Sequence, residues 1–159
     1  MTRPNIAREP GSTYRRPISV LVVVFTDDAQ VLLLRRHQPF DFWQFVTGSL
    51  KDDESHADAA ARELQEETGL VEEGELSYSD VSRQFVIDPR WRDRFAPGVV
   101  ENVEFEWRYR LRAVSEIKLN KEEHSECRWL PIDEAIETVW SWTNRDAIKQ
   151  LKAELSLAR

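Results

Sequence analysis

Hydrophobic and polar positions along the chain change period several times, which separates predicted strands from predicted helices. A valine-rich apolar run at 18–25 ends at two aspartates, which predicts a buried strand that turns into a hairpin. Apolar and polar residues alternate at 75–87 and 100–113. This period of two residues predicts two long strands with a charged loop between them. Helical spacing of apolar residues predicts a last amphipathic helix that begins near Asn144.

Strands and helices alternate along the rest of the chain. The remaining predicted elements are strands at 17–26, 30–36, 42–47 and 127–130, a helix between Ser55 and Gly69, and a short helix at 132–139. This order indicates an α/β protein, although propensity leaves the strand order open. Residues 1–14, rich in proline, are predicted to be a flexible tail, and residues 15–159 a single domain.

Composition and charge narrow the class of protein. A chain of 159 residues with 41% hydrophobic content is long enough for one substantial core. The formal net charge of −7 opposes a nucleic-acid backbone, so no nucleic-acid partner is expected, and no predicted segment is long and apolar enough for a membrane. Cys127 is the only cysteine and cannot form an internal disulfide, which favours a reducing, cytoplasmic location.

The central predicted helix carries an unusual acidic face. At about 100° per residue, Glu63, Glu66 and Glu67 share about a quarter of its circumference. Ser55 is a suitable N-cap and Gly69 a suitable C-terminal stop. The small-residue stripe predicted to pack on the sheet consists of Ala57, Ala60, Ala61 and Leu64.

The acidic face alone has two interpretations, a solvated surface or a binding site. Exposed like-charge pairs on a helix cost only about 0.2–0.5 kcal/mol each, so energy does not exclude the solvated surface. The wider pattern, however, resembles the Nudix box in both residue type and spacing. The matching residues are Gly48, Glu54, Arg62, Glu63, Leu64, Glu66, Glu67, Gly69 and Leu70.

The Nudix resemblance implies a fold, a metal and roles for several residues. The implied fold is an α/β/α sandwich with a mixed central sheet and the Nudix loop-helix-loop. The implied metal ligands are Glu63, Glu66 and Glu67. Clustered carboxylates suit Mg²⁺, with Mn²⁺ as a substitute, in a site completed by substrate phosphates. Arg62 would orient the carboxylates, Gly48 would allow a close backbone approach, and Glu54 would brace the loop.

Further segments resemble, more narrowly, the bacterial Nudix enzymes that act on dihydroneopterin triphosphate. These segments are 16–23, 41–49, 94–99 and 141–145. The implied reaction is the hydrolysis of 7,8-dihydroneopterin triphosphate to the monophosphate with release of pyrophosphate, a step in folate synthesis. The expected partner is therefore a small pterin or nucleoside triphosphate.

Such a substrate requires flat apolar walls for its ring and cations for its phosphates. The predicted substrate-binding residues are Phe42, Trp43, Arg16, Arg94 and Gly48. Core packing is the alternative for Trp43, and ordinary solvation is the alternative for Arg94. The segment 141–145 could equally be only a helix start, because several of its residues are good N-caps.

One acidic residue outside the box is also assigned a role by the resemblance. In this subfamily a loop returns to the metal site, and Glu123 stands at the matching position, as a further metal ligand or the general base. His124 is the alternative base. The predicted catalytic residues are Glu63, Glu66, Glu67, Glu123 and Arg62. They would support direct attack by water, because no nucleophilic Ser or Cys arrangement occurs in the sequence.

The sequence departs from the subfamily pattern at two places. Asp53 stands where Nudix boxes often have glycine, and 101–106 keeps only part of the pattern on a strand expected to border the pocket. The second departure leaves open a Nudix enzyme that acts on a nucleoside triphosphate such as dATP. A non-catalytic nucleotide-binding module is a further alternative, and the oligomeric state stays open.

Overall fold

A computed structural model describes residues 14–157 of the chain, so the predicted tail, apart from its last residue, lies outside the described residues. The strands are β1 (Ile18–Thr26), β2 (Gln30–Arg36), β3 (Phe42–Gln44), β4 (Val46–Ser49), β5 (Glu75–Val86), β6 (Glu101–Leu111) and β7 (Glu126–Pro131). The helices are α1 (His56–Thr68), α2 (Ile132–Thr138) and α3 (Trp142–Leu157), with a 3₁₀ helix at Pro89–Arg94. In residues 14–157, no helix has the length and hydropathy that crossing a membrane requires.

These strands form one mixed sheet with β1 near its centre. The main strand order is β3-β2-β1-β6-β5, while β4 pairs with β1 and β7 pairs with β2. Strands β1 and β6 are parallel, and the other pairs are antiparallel. This arrangement confirms the α/β class and the mixed sheet.

Alternate residues of β1 face helices on opposite sides of the sheet, which makes the sandwich. Val20, Val22 and Val24 pack with α1, in a core that includes Ala60 and Leu64. Leu21, Val23 and Phe25 pack on the other face with the buried side of α2 and α3. Because both faces are covered, the strand reads as one continuous apolar run in the sequence.

The strand predicted at 42–47 is two strands, because Phe45 leaves the ladder between β3 and β4. The Phe45 backbone N–H donates instead to Asn144 Oδ1 at 2.9 Å, and its ring is fully buried. Helix α3 begins at Trp142, two residues before its predicted start, and Ser141 Oγ accepts from the Thr143 N–H at 3.1 Å. The capping potential of this segment is therefore confirmed.

Helix α1 has the predicted ends but not the predicted packing stripe. Ser55 Oγ accepts from the Asp58 N–H, and Gly69 ends the helix in the left-handed region at φ 77°. Ala57 and Ala61 are exposed, so their predicted packing was wrong. The buried residues are Ala59, Ala60, Glu63, Leu64, Glu67 and Thr68. The helix is rotated so that two of its carboxylates, rather than its outer alanines, lie against the sheet.

We expect the substitution Gly69→Ala to lower the free energy of unfolding by about 1 kcal/mol, because a Cβ is strained at positive φ. The new Cβ would also lie 3.0 Å from the Lys118 Cβ. Urea denaturation measures the loss. Gly98→Ala is the matched control for the contact with Lys118. Gly98 also has positive φ, at 89°, but no neighbour lies within 4 Å of a built Cβ, so this variant measures the backbone strain alone. A Gly69→Ala protein as stable as the wild type would contradict the expectation.

Candidate functional site

The box loop and helix α1 are tied together by a single arginine. Arg62 Nε and Nη2 donate to the two carboxylate oxygens of Glu54 at 2.7 and 2.8 Å, and Nη2 also donates to the Ser49 carbonyl at 3.2 Å. Glu54 in turn accepts from the Lys51 N–H at 2.8 Å. The Arg62 guanidinium lowers the pKa of Glu54 to about 2. The predicted bracing role of Glu54 is thus confirmed.

The same guanidinium reaches the acidic face of the helix. Arg62 Nη1 donates to Glu63 Oε2 at 2.8 Å and to Glu66 Oε1 at 3.2 Å. Glu63 is buried, whereas the Glu66 side chain is nearly half exposed. Arg62 therefore holds a buried carboxylate, Glu63, and a half-exposed carboxylate, Glu66, on the same side of the helix.

Gly48 allows the Glu63 carboxylate to lie directly against strand β4. A Cβ built on Gly48 would overlap the carboxyl group of Glu63. Glycine is consequently required at this position for close packing, not for an unusual backbone angle. Burial raises the pKa of Glu63 to about 7, although Arg62 acts in the opposite direction.

A second set of acidic and histidine side chains lies behind Glu63. The Glu67 side chain is almost wholly buried, and its Oε1 makes no hydrogen bond although His124 Nδ1 is only 2.8 Å away. Burial and the neighbouring Glu123 carboxylate raise the pKa of Glu67, while its hydrogen bond to Glu123 lowers the pKa of Glu123. The two side chains are therefore hydrogen-bonded to each other inside the cluster.

His124 is a neutral, buried ring in this arrangement. Burial and the Arg36 guanidinium lower the pKa of His124 to about 4. Its Nε2 lies 3.1 Å from Gln44 Nε2, and its Nδ1 faces Glu67, so each ring nitrogen has a polar neighbour. The short contact between His124 and Glu67 is therefore not an ion pair at neutral pH.

The acidic cluster has the chemistry that a hard divalent cation requires. Buried carboxylates with raised pKa values and an oxygen without a hydrogen-bond partner are stabilised when a cation neutralises them. Among residues 14–157, no group of three or more His, Cys, Asp or Glu side chains is already placed to hold a metal ion.

A cavity of about 630 Å³ runs from the acidic cluster to the α3 face of the sheet. Its apolar wall includes Phe42, Phe85, Ile87, Trp91 and Trp140. Its polar wall includes Ser19, Gln44, Asn102, Glu104, Thr143 and Asn144. The volume and this mixture of aromatic and polar walls are typical of a small-molecule site.

The aromatic wall is held together by edge contacts between rings. Trp91 and Trp140 each contact Phe42, with ring centroids 5.6 and 5.4 Å apart, and Phe40 packs behind them at 5.0–5.7 Å. The Arg90 guanidinium covers the Phe40 ring at 3.9 Å from its centroid. The charged loop predicted at 88–98 thus forms an ordered side of the cavity.

A smaller cavity of about 340 Å³ adjoins the first and is lined by cations. Arg15, Arg36, Arg94 and Lys121 contribute to it, and both cavities share Arg15, Arg36 and Glu123. Burial and the Arg94 charge lower the pKa of Arg15 and of Arg36. Arg36 Nε is buried without a hydrogen-bond partner, so this pocket has donors available for an anion.

The structure brings most of the predicted site residues to these cavities. Those that line the larger cavity are Phe42, Gly48, Arg62, Glu63, Glu66 and Glu123, and Arg94 lines the smaller one. Glu67 lies buried beside Glu123. Arg16 and Trp43 line neither cavity. Arg16 donates to the Lys51 carbonyl at 2.7 Å, and the Trp43 ring packs towards α2 beneath Arg128.

Several cavity residues were missed from the sequence. Arg15 lines both cavities instead of its neighbour Arg16, and Gln44 faces the cavity instead of Trp43. Glu104 and Thr143 lie in segments 101–106 and 141–145, which were expected near the pocket, but neither residue was named as a contact. The available signal was the period of two along β6, which places alternate polar residues on one face.

Comparison with known proteins identifies the family. A sequence model described as the NUDIX domain matches residues 15–151. The chain belongs to the Nudix family. Nudix hydrolases generally use divalent metal ions, which agrees with the chemistry of the acidic cluster.

Similar Nudix proteins cover nearly the whole chain. A dihydroneopterin triphosphate diphosphatase of Escherichia coli K12 is 40% identical over 141 residues, which are 86% of this chain and 93% of that protein. The protein of that name from Haemophilus influenzae is 35% identical over an alignment that covers 86% of this chain and 88% of that protein. The structure of the E. coli dihydroneopterin triphosphate pyrophosphohydrolase matches with a TM-score of 0.82 and 37% identity, covering 87% of this chain and 97% of that one. The Nudix fold is therefore confirmed.

We expect Gly48→Ala to weaken Mn²⁺ binding at least tenfold, because the new Cβ displaces the Glu63 carboxylate. Electron paramagnetic resonance of free Mn²⁺ measures the affinity. The matched control is the same substitution in a Glu63→Ala background, where no carboxylate remains to be displaced and no further loss is expected. Equal Mn²⁺ affinity of the wild type and Gly48→Ala would show that this close approach does not serve a metal.

Proposed function

We propose that this Nudix hydrolase is a Mg²⁺-dependent pyrophosphohydrolase that converts 7,8-dihydroneopterin triphosphate to the monophosphate and releases pyrophosphate. The observation that carries the proposal is the cavity of about 630 Å³ whose lining combines the box carboxylates Glu63 and Glu66 with aromatic and polar side chains. The names of the relatives at 40% and 35% identity support this substrate.

The acidic cluster is proposed to hold the metal. Glu63, Glu66 and Glu67 provide the carboxylate oxygens, with Glu123 either a further ligand or the base, and Arg62 keeps Glu63 and Glu66 in position. Mg²⁺, when bound, would neutralise phosphate oxygens and favour ionisation of a water. Mn²⁺ is expected to substitute, because it accepts the same hard oxygen ligands.

The arginine-lined cavity is proposed to hold the phosphates beyond the metal. Arg15, Arg36 and Arg94 surround Glu123, so phosphate oxygens could be neutralised by guanidinium groups and metal together. Guanidinium groups suit this role because they present several fixed donors to a phosphate.

Glu123 is proposed to accept the proton of the attacking water. It is solvent-exposed at the junction of the two cavities, whereas His124 is 3% exposed and is clamped by Gln44 and Glu67. The hydrogen bond from Glu67 lowers the pKa of Glu123, which favours the ionised carboxylate that a base requires before it accepts a proton.

A nucleoside triphosphate such as dATP is the alternative substrate, because the box carboxylates contact only metal and phosphates. A steady-state comparison of pyrophosphate release separates the two. We expect kcat/KM for dihydroneopterin triphosphate to exceed that for each common nucleoside triphosphate at least tenfold, and activity to disappear with EDTA and return with Mg²⁺. A nucleotide preference would overturn the pterin assignment, and no pyrophosphate release from any triphosphate would favour a non-catalytic module.

We expect Glu67→Gln to lower kcat at least a hundredfold, because it replaces a charged ligand at the centre of the acidic cluster. Its melting temperature should not fall, since the substitution removes a buried carboxylate whose Oε1 has no hydrogen-bond partner. Glu72→Gln is the matched control, because Glu72 is exposed just beyond the end of helix α1 and lines neither cavity. Full turnover by Glu67→Gln would refute the proposed role of the cluster.

A further inference from the structure

Strand β6 presents acidic and amide side chains to the α3 face of the sheet. Asn102, Glu104 and Glu106 are all buried there, in alternate positions of an interior strand. The register pairs Glu104 with Ser19 on β1 and with Arg83 on β5. Two buried carboxylates at alternate positions on one face of a strand need either partners in the protein or a ligand.

The neighbours of Glu104 have such partners. Glu106 accepts from Arg83 Nη1 at 2.8 Å and from Arg108 Nε at 3.0 Å, one arginine for each carboxylate oxygen. Asn102 Nδ2 donates to Ser19 Oγ at 2.8 Å. These groups are used by the fold itself.

Glu104 differs because one of its oxygens is left over. The residue is 4% exposed and lines the larger cavity, and its Oε1 has no hydrogen-bond partner. A hydrogen bond with Thr143 on α3 engages the carboxyl group and lowers its pKa. Burial nevertheless raises the pKa of Glu104 to about 7, and the Glu106 charge acts in the same direction. A ligand that donates hydrogen bonds would stabilise the ionised form.

We infer that Glu104 recognises the ring of the substrate by accepting two parallel N–H donors from a 2-amino-pyrimidin-4-one edge, one at the unpartnered Oε1 and one at the second lone pair of the oxygen that Thr143 bonds. The inference rests on the proposed function, because it places the ring of the triphosphate in the α3 part of the cavity. Glu104 is a specificity-determining residue on this account, and it takes no part in attack on the phosphate.

The chemistry of the ring edges makes this contact selective. A pterin and a guanine both present a ring N–H beside an exocyclic amine, which matches the two oxygens of one carboxylate. Adenine presents one donor beside one acceptor, so its ring nitrogen would face a carboxylate oxygen. Phe42 and Trp91 on the apolar wall supply contact for the ring faces of either substrate.

Glu104→Gln tests the inference, because glutamine keeps the shape but presents one acceptor and one donor. We expect kcat/KM to fall at least tenfold for dihydroneopterin triphosphate and for GTP, with dATP unchanged or improved. Glu101→Gln is the matched control, since Glu101 is exposed on the same strand and bonds only Gln84 among the described hydrogen bonds of its side chain. Melting curves of each variant confirm that the fold is intact.

An equal loss on all three substrates, or no loss on any, would overturn the inference. Failure of the proposed function gives a different result from failure of the inference. In that case the wild type would hydrolyse dATP better than dihydroneopterin triphosphate. Even then, the inference requires that Glu104→Gln lower the ratio of GTP to dATP turnover at least tenfold, and an unchanged ratio would refute it. If Glu104→Gln unfolds, binding of neopterin and adenosine to Glu104→Asp, followed by intrinsic fluorescence, replaces the kinetic comparison. Selective weakening for neopterin supports the inference, and equal weakening for both ligands overturns it.

Discussion

The carboxylates of Glu63 and Glu67 are kept out of water beside strand β4, and the geometry of the site depends on this burial. Gly48 provides the space, because any side chain there would overlap Glu63. Arg62 and Glu54 hold the loop and the helix together, while Glu123 and His124 contact Glu67. Like charges placed this close are unfavourable in a protein interior unless a proton or a cation compensates them. The fold therefore maintains a strained electrostatic arrangement that a divalent ion would relieve.

The two ends of the cavity are built from different parts of the chain. The proposed phosphate end consists of the box helix and arginines from three separate segments, whereas the proposed ring end consists of β6, α3 and the 3₁₀ segment. Substitutions at Glu104 or Asn102 could thus change the preferred ring without altering the metal cluster. This separation is how one fold can support hydrolysis of many diphosphates.

Local sequence signals predicted the elements well but did not predict which side chains meet. Ser55 and Gly69 defined helix α1 because capping is a property of a few neighbouring residues. The burial of Glu63 and Glu67 could not be obtained from the helix alone, since it depends on how the helix is rotated against the sheet. Trp43 lies on the opposite side of β3 from Phe42 and Gln44, because successive side chains of a strand alternate between its two faces. Glu104 faces the cavity through the parallel pairing of β1 with β6, and propensity does not determine that register.

The most direct test of the buried acidic cluster is the position of a bound metal. Crystals grown with Mn²⁺ should give an anomalous peak within coordinating distance of carboxylate oxygens from both Glu63 and Glu67, with Arg62 still bound to Glu54. When a non-hydrolysable triphosphate is also present, the metal should contact phosphate oxygens on the side of the arginine-lined cavity. A peak at any other position, with Glu63 and Glu67 unliganded at a saturating Mn²⁺ concentration, would contradict the account.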